Sequence, residues 1–253
     1  MKVLLITQDE PIFIGPAIDY LLRRLSPHVK VTGICVLENS PFGKKLNVFK
    51  KIMTTIKVFG FKFFLQAGIQ NFLGRIKGRS VANIANKHMV QLLPVIGSIN
   101  SLENIKLLSE HKADIFVSIA GNQVFKRQLL DVPKLGVLNI HTSRLPDYRG
   151  LMPTFWVLKN QELETSVSIF FVDEGIDSGP ILVQKHIKLG AISQWDLIRY
   201  TKFLGMEALA ESLDLVHKGT YKLLKNDVEI GSYYSFPTHS DVKDFRLKGQ
   251  SFF

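Results

Sequence analysis

Asp114-Ile115-Phe116-Val117-Ser118-Ile119-Ala120, followed after a short helical stretch at about 125–130 by Gly136-Val137-Leu138-Asn139-Ile140, is the passage that decides the architecture. Two near-continuous apolar runs of strand length with a helix between them read as buried strands of an α/β sheet. The alternation recurs upstream. Residues 2–7 read as a buried strand, Pro16 to Leu25 as a helix with Ile18, Leu21, Leu22 and Leu25 on one face, and residues 30–37 as a second strand. A third, short strand is expected in Pro94-Val95-Ile96-Gly97, and a helix at about 101–110 that Ser101 could cap. The fold class is therefore α/β, a Rossmann-like and mostly parallel sheet with helices on both faces.

After Gly150 the pattern changes. A helix at about 153–159 leads to two alternating runs, 166–172 and 181–187, expected as a hairpin-like antiparallel addition. Residues 193–218 read as one long helix, and the last thirty or so as short strands and loops. The expected division is a main domain over 1–203, then the end of the long helix and a short C-terminal appendage over 204–253.

The formal net charge is +10, and it is unevenly placed. Residues 44–80 hold Lys44, Lys45, Lys50, Lys51, Lys57 and Lys62, then Arg75, Lys77 and Arg79, with no acid. A local basic surface is thus the feature to explain. The segment is also rich in phenylalanine and aliphatic residues, and reads as an insertion of one or two amphipathic helices. It could lie on an anionic bilayer, although a charged helical face is usually just solvated. No apolar run approaches the ~18 residues of a membrane span. The single cysteine, Cys35, sits in an apolar run and is expected as a buried thiol. No Cys/His cluster has zinc spacing, so no metal is expected. The start of the chain is too short and too quickly acidic for a signal peptide, and the expected compartment is the cytoplasm.

Chemistry concentrates in Asn139-Ile140-His141-Thr142-Ser143-Arg144-Leu145-Pro146-Asp147-Tyr148-Arg149-Gly150 and in Asp173-Glu174-Gly175-Ile176-Asp177-Ser178-Gly179-Pro180. Asn139 and His141 lie at the carboxyl end of an expected parallel strand, where open α/β sheets bind ligands. Two apart on a strand, they point the same way. The amide could donate to an oxyanion and the imidazole could move a proton. Asp177 could hold the imidazole in one orientation and favour its charged form. Alone, Asn-x-His reads as a strand end and an aspartate in a glycine-rich turn as a turn residue. It is their combination that points to acyl transfer onto an amine.

The combined pattern resembles the folate-dependent formyltransferase family, most strongly from about 114 to 187. The resemblance implies Asn139, His141 and Asp177 as the catalytic trio and 10-formyltetrahydrofolate as the formyl donor. It also implies a cis bond before Pro146 as a feature that family members can carry. Backbone atoms at Gln123 and Val124, and in the turn from Asp173 through Gly175 to Asp177, become the expected pterin contacts. Phe170 stands seven residues before Asp177, where the ribonucleotide enzymes of the family carry a histidine, which argues against that subgroup. No Gly-x-Gly-x-x-Gly follows the first strand, which argues against a dinucleotide cofactor.

Among acceptors, Pro153-Thr154-Phe155-Trp156 after Arg149-Gly150, and the tail Tyr233-Tyr234-Ser235-Phe236-Pro237-Thr238, are similar to sugar N-formyltransferases. That likeness implies a nucleotide-linked amino sugar as partner and a product that feeds surface polysaccharide. Ser143, Arg149 and Trp156 are then the expected substrate-side residues, although Phe155 and Trp156 also suit a plain core. The alternatives are a methionyl-tRNA formyltransferase, for which the stretch beyond 203 is short, and a non-catalytic or membrane-surface protein on the same scaffold. Nucleic acid is not the expected partner, and self-association as a dimer is left open. The remaining histidines, His28, His88, His111, His186, His217 and His239, show no carboxylate at a meaningful spacing and receive no role.

Overall fold

The computed structural model describes residues 1–38 and 47–253. Lys44 and Lys45 lie outside the described residues. Seven strands form one sheet in the order β3-β2-β1-β4-β5-β7-β8. They are β1 (Lys2–Gln8), β2 (Lys30–Leu37), β3 (Gln91–Leu93), β4 (Ile115–Ile119), β5 (Val137–His141), β7 (Glu164–Phe171) and β8 (Ile181–Lys188). The first five in the spatial order run parallel; β7 adds antiparallel to β5, and β8 antiparallel to β7. The expected hairpin is thus part of the main sheet.

The strands are apolar nearly throughout because both faces are covered. Along β1, Val3 and Leu5 enter one core while Leu4 and Ile6 enter another. The first core is closed by helices α1 (Ile14–Leu22), α4 (Val81–Lys87) and α8 (Gln194–Lys218). The second is closed by α5 (Leu102–Glu110) and α6 (Arg127–Leu130). Ser101 caps α5 by accepting from the Asn104 amide, as expected. Cys35 belongs to the second core, and burial pushes its thiol up to about 12.

Three expectations are corrected. The third strand ends at Leu93, earlier than Pro94–Gly97, because Pro94 has no N–H to offer a ladder. The tail contains a helix, α9 (His239–Leu247), opened by a capping box between Thr238 and Asp241. Two histidines do meet carboxylates across the fold: His88 lies 2.7 Å from Asp19 and His28 lies 2.9 Å from Asp214. The expected division at 203/204 falls inside α8, whose second half supplies Met206, Leu209, Leu213 and Val216 to the first core.

The basic segment forms two helices, α2 (Val48–Phe59) and α3 (Phe61–Ile76), joined at Gly60. Helix α7 (Pro153–Lys159), α9 and the end of the chain build a third, aromatic core around Phe59, Phe155, Trp156 and Phe245. Short strands β6 (Arg149–Gly150) and β9 (Tyr233–Tyr234) tie the tail to the loop after β5.

Candidate active site

β1 and β4 are neighbours, yet the chain runs outward from β1 to β2 and β3 on one side and from β4 to β5 on the other. Such a reversal of strand order opens a crevice at the carboxyl ends of the strands. Asn139 and His141 occupy that end of β5. Asn139 pairs with Ser118 of β4 on one side and with Phe170 of β7 on the other, and His141 pairs with Ser168.

His141 is 5% exposed. Its Nε2 lies 2.7 Å from the carbonyl of Tyr148, and its Nδ1 lies 3.5 Å from Asp177 Oδ2. A carbonyl can only accept, so Nε2 carries the proton and Nδ1 is the nitrogen turned to the carboxylate. At 3.5 Å that second contact exceeds an ordinary hydrogen bond. The Nδ1 edge is therefore the less tightly held side of the ring. Tyr148, the holder of the ring, is itself buried, with φ +57. Burial, then its contact with Glu162, pushes its phenol well above the ordinary range.

Asp177 also has a left-handed backbone, φ +50, which aspartate tolerates better than most residues. Its Oδ2 accepts from the Gly150 N–H at 2.8 Å. Its carbonyl accepts from Asn226 Nδ2 at 2.9 Å, and the same nitrogen donates to the Gly179 carbonyl. Two carbonyl partners identify that end of the Asn226 amide as nitrogen. Asn226 thus pins the turn that presents Asp177. Only its contacts across the fold reveal it; an asparagine between two charged residues in a polar tail carries no sequence signal.

The loop after β5 is buttressed by the tail. Arg149 and Leu151 donate their N–H groups to Ser232 and Tyr234 carbonyls. Gly150 sits at φ +98, and a Cβ there would come within 2.2 Å of the Tyr234 carbonyl, so this contact demands glycine. Leu145-Pro146 is a cis peptide.

The buried Oδ1 of Asn139 has no partner among the described residues. Since amide ends are interchangeable by a flip, the group facing that position can be oxygen or nitrogen. An amide with one buried end unpaired, at a strand end two residues before His141, suits a ligand that completes it.

The other expected site residues divide. Ser143 is fully buried, and its hydroxyl donates to the Tyr148 carbonyl at 3.3 Å, so it braces the loop. Trp156 belongs to the aromatic core, stacked on Tyr234 with its indole N–H given to the Ser235 carbonyl. The structure places Trp156, expected on the sugar side, in this core with its ring covered by the tail. Arg149 donates to the Val228 carbonyl at 3.3 Å, while its Nε is buried with no partner among the described residues. The Gln123 side chain is committed to the Ile99 N–H and the Gly97 carbonyl, which leaves only main-chain groups for a ligand. Val124 is exposed, with its carbonyl accepting from Asn100. Asp173 accepts from the Gly175 N–H and the Ser178 hydroxyl and so shapes the turn. Among the described residues no group of His, Cys, Asp and Glu could hold a metal ion.

The first helix adds an exclusion. Its N-terminal amides are already filled by Glu10, whose carboxylate accepts from Ile12, Phe13 and Ile14. That position is a common phosphate site in α/β folds, and here the chain supplies its own anion.

Residues 80–211, just over half of the chain, match the family model described as formyl transferase. The methionyl-tRNA formyltransferase of Kosmotoga olearia is 36% identical over 146 residues, covering 57% of this chain and 47% of that protein. The chain thus spans about half the length of the relatives of this kind that it matches. Over nearly the whole chain the fold is similar to solved structures at low identity. An N-formyltransferase from Helicobacter canadensis, in complex with folinic acid and dTDP-3-aminofucose, has a TM-score of 0.57 at 18% identity, covering 93% of this chain and 71% of that one. A phosphoribosylglycinamide formyltransferase from Anaplasma phagocytophilum has a TM-score of 0.63 at 15% identity, covering 93% and 99%.

Proposed function

Because the chain belongs to the formyl transferase family, we propose that it moves a formyl group from 10-formyltetrahydrofolate to the amine of a nucleotide-linked amino sugar. The observation that carries the reading is the ring of His141, held at Nε2 by the Tyr148 carbonyl with Nδ1 turned to Asp177, two residues from an Asn139 amide with one buried end unpaired.

The acceptor nitrogen attacks the formyl carbon. A carbon–nitrogen bond forms, and the formyl oxygen takes up negative charge. The Asn139 amide and a protonated Nδ1 of His141 are the donors placed for that oxyanion. Asp177 takes a proton from the attacking nitrogen, directly or through one water. The bond to the folate nitrogen then breaks, and that nitrogen leaves with a proton, giving tetrahydrofolate and the formamide. Removing one such oxyanion donor typically costs ~10²–10³ in rate.

A folate donor is supported by the Helicobacter canadensis relative in fold, which was solved with folinic acid and a nucleotide-linked amino sugar. Phe170 supports an acceptor other than a ribonucleotide: it is buried against Leu145 and Ile181 and offers no polar group. A methionyl-tRNA acceptor is the other reading, favoured by the names of the relatives at 33–37% identity. The deciding experiment offers the protein 10-formyltetrahydrofolate with either a panel of nucleotide-linked amino sugars or methionyl-tRNA, and detects the formylated product by mass. Formylation of a sugar at saturable rates supports the proposal; formylation of methionyl-tRNA alone replaces it.

A further inference from the structure

Helices α2 and α3 keep their apolar side chains on the wrong side for a core. On α3, Phe61, Leu65, Ile69, Phe72 and Ile76 are all exposed, between 49% and 66%. Their spacing of four, four, three and four residues places them within an arc of about 80° at 3.6 residues per turn. On α2, Phe49 and Met53 are likewise exposed one turn apart. The opposite side of the pair is anchored. Phe59 is buried against Phe63, Phe236 and Phe252, and Arg246 donates to its carbonyl. At the far end of α3, Gly74 lies against Pro11 so closely that a Cβ would come within 2.8 Å of its carbonyl, and Arg75 pairs with Asp9 at 3.1 Å. The outward stripe therefore belongs to a fixed platform.

Along the two helices themselves the charge has one sign. Residues 47–80 carry seven lysines and arginines and no acid. Lys50, Lys57, Lys62 and Lys77 are exposed on or beside the two helices. Each candidate occupant can be weighed against that pattern. A second copy would bring seven like charges against seven. Nucleic acid would suit the charge and could stack on phenylalanine, but gains nothing from Leu65, Ile69 and Ile76, which have no π-face. A lipid surface with anionic headgroups uses both features at once: apolar side chains enter the headgroup boundary while lysines meet the phosphates. None of the described helices is long and apolar enough to cross a membrane, so the contact is one of lying on the surface.

We propose that the α2–α3 pair is a docking face for an anionic membrane surface, with the α3 stripe Phe61, Leu65, Ile69, Phe72 and Ile76 as the inserting edge. The proposal is independent of the acceptor, since the face contains none of the catalytic groups.

The test is co-sedimentation of the full chain with phosphatidylcholine vesicles, with or without about a third phosphatidylglycerol, at low and high salt. The expected result is at least ~10-fold stronger partition onto the anionic vesicles, weakened by salt, as surface potential requires. Leu65→Ser with Phe72→Ser should lower that partition by ~10-fold or more through lost apolar burial, and Lys50→Gln with Lys57→Gln and Lys62→Gln by a similar or smaller factor. Both sets lie on solvent-facing positions, and an unchanged thermal transition checks that they fold. Absence of partition at low salt overturns the proposal, as does equal partition onto neutral vesicles. Retention of full binding by the Leu65/Phe72 variant means that no side chain inserts, and also overturns it. A dimer in the absence of vesicles that the same variant dissolves assigns the face to a second copy. Tighter binding to transfer RNA than to vesicles in the same assay assigns it to nucleic acid.

Discussion

The end of β5 and the helices α2 and α3 distribute polar and apolar groups in opposite ways. At β5, polar side chains are carried inward: His141 and Ser143 are buried among apolar strands, and each is held by a main-chain oxygen of the same loop. On α3, apolar side chains are carried outward and the buried side is reduced to a few anchors such as Phe63 and Gly74. The first arrangement costs desolvation and so survives only where partners are fixed. The second leaves apolar surface in water with no partner among the described residues. The family match begins at residue 80, after both helices end, so the common chemistry and the basic platform occupy separate stretches of sequence.

If the inward polar cluster is the reaction centre, its removal should have the largest effect. His141→Ala and Asn139→Ala should each lower formyl transfer by ~10² or more while the protein stays folded. Steady-state rates with circular dichroism decide it, and near-normal turnover in either variant breaks the account. Asp177→Asn keeps shape and removes charge, and should lower turnover by ~10-fold or more with a smaller change in acceptor affinity. Donor affinity is measured separately, because the same turn faces the expected pterin side. A change confined to acceptor affinity would make Asp177 a binding residue.

Asn226→Ala probes how the cluster is held. It strands the carbonyls of Asp177 and Gly179, and a buried unsatisfied group costs ~1–3 kcal/mol. Denaturant unfolding should register that loss, with turnover falling less than in Asp177→Asn. Unchanged stability would mean that the tail does not pin the turn.

Asp19 probes the junction between the two regions, since it joins α1 to the helix that follows the platform. Burial pushes its carboxyl up, but hydrogen bonds from His88, Lys87 and Arg23 outweigh that and hold it at about 2. A carboxylate lowered on folding stabilises above its unfolded value of 3.8, and that contribution is lost as pH falls towards 2. Asp19→Asn should therefore cost ~1–2 kcal/mol at neutral pH, allowing for solvent screening of a partly exposed group. The difference from the parent should shrink through pH 4 to 2 in denaturant melts. The smallest effect is expected from Lys50→Gln with Lys57→Gln and Lys62→Gln, which should leave turnover on a soluble acceptor within ~2-fold, as exposed substitutions far from a site usually do. A collapse of turnover would join the platform to the active site.

The parallel strands were legible because burial on both faces writes near-continuous apolar runs. Asn139, His141 and Asp177 were legible as a pattern of residue types, and the structure brings His141 and Asp177 within 3.5 Å of each other, with Asn139 two positions before His141 on the same strand. Other features depended on contacts between distant parts of the chain. The Tyr148 carbonyl that holds His141 is main chain and leaves no mark on residue identity. His88 and Asp19 are 69 positions apart. Helix α9 buries only Val242 and Phe245, too few for a periodic signal, although its Thr238–Asp241 capping box was readable. Trp156 shows the converse difficulty: an aromatic beside the site could read as a sugar platform, and only the covering tail makes it core.

The most direct measurement is a single-turnover reaction of the protein with 10-formyltetrahydrofolate labelled in the formyl carbon and a nucleotide-linked amino sugar, followed by mass spectrometry of the acceptor. The account predicts that the label appears on the sugar amine with the unaltered protein and is nearly absent with His141→Ala. Transfer that is undiminished in the variant, or no transfer to any amine by the unaltered protein, would contradict it.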